Sequence, residues 1–200
     1  MGLRGFGGVG HKTPPDTARG DPRQPWKKKT LSRLDRVIAF LEYLPITKGK
    51  LTGHKLELLP SQRAFIEDLY GREEGQVRLG ILSEPRGNGK TGLIAGLMLC
   101  HLLGPESEPR GECYSAGIDR LQAALIFNEM EAIIHAMPEF QKRCNIQRFR
   151  KIIEVLAGDG KGSKYESLSA DSRRAHGLAR DSFRSGLPAP SAGLVTWPRA

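Results

Sequence analysis

Apolar residues recur at helical spacing at Leu34, Val37, Ile38, Leu41 and Leu44. Ser32 is placed to cap the start, and Pro45 ends the pattern, so a helix is predicted between them. A second, shorter helix is predicted over residues 61–70, with Phe65, Ile66 and Leu69 on one face and Gly71 closing it. The pattern then changes. Val77-Arg78-Leu79-Gly80-Ile81-Leu82 predicts a buried strand, a loop follows over 83–89, and an apolar helix runs from Lys90 to Leu103 before Gly104-Pro105. A strand is predicted at Glu112-Cys113-Tyr114-Ser115-Ala116. An amphipathic helix follows over 119–137, with Leu121, Ala124, Leu125, Met130, Ile133 and Ile134 inward. Further strands are predicted at 152–156 and 165–169, around a glycine-rich turn at 158–162. Strand, loop, helix, strand, helix, strand is the alternation of an α/β fold with a largely parallel sheet flanked by helices. No internal repeat interrupts it.

The two ends depart from this patterning. Residues 1–30 are rich in Gly and Pro and finish in the Lys27-Lys28-Lys29 run, which predicts a disordered basic arm. Residues 179–200 are rich in Arg, Ser, Pro, Gly and Ala, with one short apolar piece at Gly193-Leu194-Val195, and predict an irregular tail outside the fold.

Charge follows the same division. The 200 residues carry a net +9, of which residues 1–36 hold +6 and residues 172–200 hold +4, leaving −1 for the middle. Basic ends suit non-specific contact with DNA phosphates, and they suit a solvated tail equally. Cys100, Cys113 and Cys144 are too scattered for a disulfide framework or a zinc site, and Cys100 and Cys113 lie in apolar stretches that suit core packing. The longest apolar stretch, residues 92–103, is too short to span a bilayer, and the N-terminus lacks the apolar core of a secretory signal.

Candidate chemistry sits in one place. Glu84-Pro85-Arg86-Gly87-Asn88-Gly89-Lys90-Thr91 matches the second half of the phosphate-binding pattern G-x-x-x-x-G-K-[ST], with Glu84 in place of its first glycine. Gly87 and Gly89 let backbone N–H groups approach phosphates, and the following helix adds the partial positive charge of its N-terminus. Lys90 is expected to reach the β- and γ-phosphates, and the Thr91 hydroxyl to hold Mg²⁺. Arg86 is either a second cationic contact or a surface arginine. The acid at Glu84 either faces away from the loop or pairs with Arg86.

Four segments in order resemble the large terminase subunits of tailed phages, the motors that package DNA into proheads. They are Leu59-Pro60-Ser61-Gln62 with Phe65-Ile66-Glu67-Asp68-Leu69-Tyr70-Gly71; Pro85-Arg86-Gly87-Asn88-Gly89-Lys90-Thr91; Glu112-Cys113-Tyr114-Ser115-Ala116 with Asp119-Arg120-Leu121-Gln122-Ala123-Ala124; and 167–178, ending His176-Gly177-Leu178. The likeness covers about residues 34–178. It implies a P-loop ATPase domain over residues 31–178 that binds ATP and Mg²⁺, and Gln62 contacting adenine. It also implies Arg86 and Lys90 on phosphates, together with Gly87, Asn88 and Gly89, and Thr91 on magnesium. Arg173, Arg174 and His176 receive no role. Double-stranded DNA, a small terminase subunit and a portal protein are the implied partners, with ring assembly, no membrane, and the cytoplasm of a bacterial host as the setting.

The family pattern next requires an apolar strand ending in Asp-Glu, for magnesium and for activating water. None follows Leu178, and Asp181 is the last acidic residue. The catalytic acids are therefore unassigned, a nuclease half is absent from these residues, and the expectation is a chain truncated or frameshifted near Leu178. The strands next to the missing one are expected to expose apolar side chains. A P-loop small-molecule kinase and a non-catalytic nucleotide- or DNA-binding remnant are the alternative readings.

Overall fold

The computed structural model describes residues 24–28, 30–71, 77, 79–85, 87–117, 120–169 and 194–196. Helix α1 (Arg33–Leu41) starts as expected at Ser32, whose hydroxyl accepts from the Asp35 N–H at 3.1 Å. Helices α2 (Pro60–Tyr70) and α3 (Lys90–Leu103) lie where the pattern predicts them. Strand β1 (Glu112–Gly117) leads to α4 (Arg120–Ala136) and the one-turn α5 (Pro138–Gln141). Strands β2 (Cys144–Gln147), β3 (Ile152–Val155), β4 (Lys164–Ser169) and β5 (Leu194–Thr196) complete the described elements.

The sheet order is β2-β3-β4-β1-β5. The chain is α/β as expected, but the largely parallel sheet is not what the described strands form. Only β1 and β4 pair in parallel; the β2–β3, β3–β4 and β1–β5 pairs are antiparallel. Connection length explains the difference. Short turns at 148–151 and 156–163 return the chain antiparallel, whereas β1 reaches β4 by a long crossover that includes α4.

Four further expectations are corrected. Residues 77 and 79–82 form no strand, and Leu79 and Ile81 are 64% and 78% exposed. Side chains still alternate along this segment: a Cβ at Gly80 would meet the Leu69 and Phe65 side chains of α2. The segment is thus covered on one face and has no strand neighbour among the described residues, and a strand cannot persist without a ladder partner. On α4, Leu121 and Leu125 face solvent, and the inward face is carried by Ala123, Ala124, Phe127, Met130, Ile133 and Ile134. The periodicity was right and its phase was wrong at the first turns. At the N-terminus, order begins before Ser32. Pro25–Lys27 forms a 3-10 turn that sinks Trp26 into the core, in edge-on contact with Phe40 and Tyr43. In the C-terminal tail, the apolar piece pairs with β1 as β5 instead of lying apart.

Helix α3 is the centre of the packing. Leu93, Ala95, Leu97, Met98, Leu99, Cys100 and Leu102 are fully buried, and Gly96 lets α1 come close enough that a Cβ there would sit 2.9 Å from Leu41. Cys100 and Cys113 are buried free thiols, as expected. The turn before β4 closes against the end of α3. A Cβ at Gly160 would lie 2.1 Å from the Leu102 carbonyl oxygen, so Gly160→Ala is expected to cost about 2 kcal/mol. A thermal melt checks this, and an unchanged Tm would mean that the turn yields freely. Among the described residues no helix is long and apolar enough to cross a membrane.

Candidate nucleotide-binding site

The loop before α3 has the backbone that its glycines suggest. Gly87 and Gly89 adopt φ of 99° and 75°, in the left-handed region that side chains disfavour, and Gly89 caps α3. Its carbonyl accepts the Leu93 N–H at 3.0 Å, which starts the helix. The first-turn N–H groups of α3 have no partner within the helix and project toward the loop, where the dipole is positive. A Cβ at Gly87 would meet nothing within 4 Å, so no described residue fills the space beside it.

Lys90, the first residue of α3, turns its ammonium back onto the loop. It donates to the carbonyl oxygens of Glu84 and, at 3.2 Å, Pro85. Thr91 follows in the same first turn, half-buried. Arg86 lies outside the described residues, as do Arg173, Arg174 and His176. Whether Glu84 pairs with Arg86 lies outside the described residues; one of its carboxylate oxygens accepts from the Ser61 hydroxyl at 2.6 Å. The other is buried with no hydrogen-bond partner among the described residues. The negative charge in place of the first glycine is therefore held against α2.

Gln62 comes to the loop as its place in the pattern suggests, but as a buried tether. It is 3% exposed; its Nε2 donates to the Asn88 carbonyl at 2.8 Å, and its Oε1 accepts from the Leu59 N–H at 3.2 Å. One amide thus fixes both the start of α2 and the middle of the phosphate loop. Gln62, Gly87, Asn88, Gly89, Lys90 and Thr91 are brought together. Ser61 was missed, although a hydroxyl beside Gln62 in the first turn of α2 was the available signal.

A second set of polar groups fixes α2 on α3 from the far end. Tyr70 and His101 are hydrogen-bonded at 2.9 Å, and the Arg33 guanidinium lies 5.3 Å from the Tyr70 ring centroid. Arg33 also donates to Glu106, at 2.6 Å through its terminal nitrogen. Burial pushes the His101 imidazole down to about 4; Glu106 opposes that shift and Arg33 adds to it. Among the described residues no group of three or more His, Cys, Asp or Glu could hold a metal ion.

No family model matches the chain. Over 150 residues, 74% of its length, it is 38% identical to the terminase large subunit of Enterobacteria phage HK97 and covers 29% of that protein. The crystal structure of the HK97 bacteriophage large terminase matches it with a TM-score of 0.64 at 35% identity, over 74% of this chain and 30% of that one. The chain spans about 30% of the length of the proteins it matches. Sequence and fold agree over the region that holds both α2 and the glycine loop, and together they support a phage terminase large subunit over that region.

Proposed function

We propose that this chain binds ATP in the loop 84–91, as the nucleotide-binding part of a DNA-packaging motor with a P-loop-type sheet. The observation that carries the reading is the open loop: Gly87 and Gly89 at positive φ, Lys90 on the loop carbonyls, and the Glu84 carboxylate held by Ser61. The residues fit a nucleotide. Phosphate oxygens offer Lys90 stronger acceptors than neutral carbonyls, and the α3 N-terminus favours their charge. Gly87, Asn88 and Gly89 supply the backbone donors, Arg86 is assigned to the phosphates, and Gln62 holds the loop in register and lies on the adenine side. The Thr91 hydroxyl is the group that would hold Mg²⁺, which neutralises phosphate charge when bound. Duplex DNA, a small terminase subunit and a portal protein are the proposed partners, in the cytoplasm of a bacterial host.

A second reading, binding without turnover, is favoured by a specific observation. Leu79, Ile81, Leu121 and Leu125 are more than half exposed, which suits a sheet short of a strand beside the loop segment. Residues 179–200 hold no Asp-Glu pair preceded by an apolar run.

ATP binding by the full chain, with and without Lys90→Ala, tests the proposal. The variant is expected to bind about tenfold to a hundredfold more weakly, the value of one or two hydrogen bonds to a charged group. Wild-type chain that binds no ATP would sink the proposal. DNA-stimulated, Lys90-dependent hydrolysis would replace the second reading with an active ATPase, and turnover stimulated only by small acceptors would favour a kinase.

A further inference from the structure

The chain between α1 and α2 carries a charge concentration that the ATP site does not use. Residues 47–55 read Thr-Lys-Gly-Lys-Leu-Thr-Gly-His-Lys: three lysines and no acid, within a body that sums to −1 over residues 37–171. Lys48, Lys50, His54 and Lys55 are all exposed. The segment is not a loose solvated loop. The Ile46 N–H donates to the His54 carbonyl at 2.8 Å, and the Gly53 N–H returns to the Ile46 carbonyl at 2.9 Å. Pro45 and Lys55 bridge at its base. Gly49 and Gly53 turn the chain at φ of 87° and 88°, in space that is otherwise open. Glu129 of α4, itself buried, anchors one side: it accepts from the Thr47 hydroxyl and pairs with Lys48 at 2.8 Å.

We infer that residues 47–55 form a surface that binds the phosphate backbone of duplex nucleic acid, with Lys50 and Lys55 as its main cations. This rests on the reading of the chain as part of a DNA-packaging motor and assigns that contact to one place. Rigidity matters because ordering a flexible lysine loop on binding would cost entropy that this loop has already lost in folding. Among the described residues neither Lys50 nor Lys55 has an acidic partner, and the Lys55 ammonium lies 5.4 Å from the Tyr43 ring centroid. Both cations are therefore available to an anion. An acidic protein is the competing ligand. The loop offers it one exposed apolar side chain, Leu51, where a protein interface wants a larger apolar centre. Gly49 instead puts no side chain between Lys48 and Lys50, and the space there is open to a phosphate. The loop runs directly into α2, whose Gln62 touches the phosphate loop, so a contact here lies one element from the nucleotide site.

The test compares duplex binding across a salt series by the full chain and by Lys50→Gln/Lys55→Gln. Lys48 is left in place so that Glu129 keeps its partner. A control, Lys142→Gln/Arg150→Gln, removes equal charge from other exposed positions. Two lost phosphate contacts should make the slope of log affinity against log salt shallower by about 2, while the control retains the wild-type slope. Acetylation footprinting should show Lys50 protected by duplex. Equal slopes in wild type and variant, an equal fall in the control, or no duplex binding at all would each overturn the assignment. So would protection of Lys50 by polyglutamate as strong as by duplex. None of these outcomes alters ATP binding at Lys90, which stands or falls on its own assay.

Discussion

Replacing Trp26 with alanine is expected to lower the unfolding free energy by about 4 kcal/mol. The indole is 2% exposed and meets Phe40 and Tyr43 edge-on, each with ring centroids 4.9 Å away. Truncation removes most of a large buried apolar surface and two aromatic contacts, and it leaves a cavity beside α1 that backbone movement fills only in part. The result matters because Trp26 sits in a segment whose glycines, prolines and lysines point to an unstructured arm. Urea unfolding of wild type and variant gives the answer. A loss under about 1 kcal/mol would mean that the turn at Pro25–Lys27 docks without contributing to the fold.

The second large effect is a pH dependence carried by His101. Burial holds its imidazole at about 4 in the folded chain, against 6.5 as the ordinary value. The unfolded chain therefore binds a proton that the folded chain refuses between those two values. The sign follows: His101 costs nothing above pH 6.5, and its contribution falls as pH drops, levelling off below about 4 after a loss of about 3 kcal/mol. Tyr70, Arg33 and Glu106 surround it, so a local loss there loosens α2 from α3. Stability curves at pH 7 and pH 4.5 should converge for His101→Gln relative to wild type, since the variant has no proton to take up. Parallel curves would show that the imidazole is charged or hydrated in the native state.

The helices were legible because each announces itself within a short window. Ser32 starts α1, which stops at Leu41, short of Pro45; Gly71 ends α2, and Gly104 ends α3. The phosphate loop was legible for the same reason, since Gly87, Gly89 and Lys90 are neighbours in sequence as well as in space. Long-range facts were not. Whether Val77–Leu82 becomes a strand depends on a neighbour elsewhere in the chain, and periodicity carries no record of that neighbour. Whether β3 runs parallel or antiparallel to β4 depends on the turn length between them, and the alternation of elements does not register it. Trp26 was lost in the composition of its flanks, although one indole buries as much surface as several smaller side chains. Glu84 stands out in sequence as an acid in place of the first glycine, but only the approach of α2 brings the Ser61 hydroxyl to it.

The mixed sheet has a consequence for the order in which the chain acquires its structure. Strands β2, β3 and β4 are joined by short turns, so their pairing closes small loops and can form early as a local meander. Strand β1 must wait. Its parallel register with β4, from Glu112↔Lys164 to Gly117↔Ser169, closes about fifty residues and needs α4 in place as the crossover. The parallel β1–β4 pairing is thus the last part of this sheet to close, after the β2–β3–β4 meander has formed.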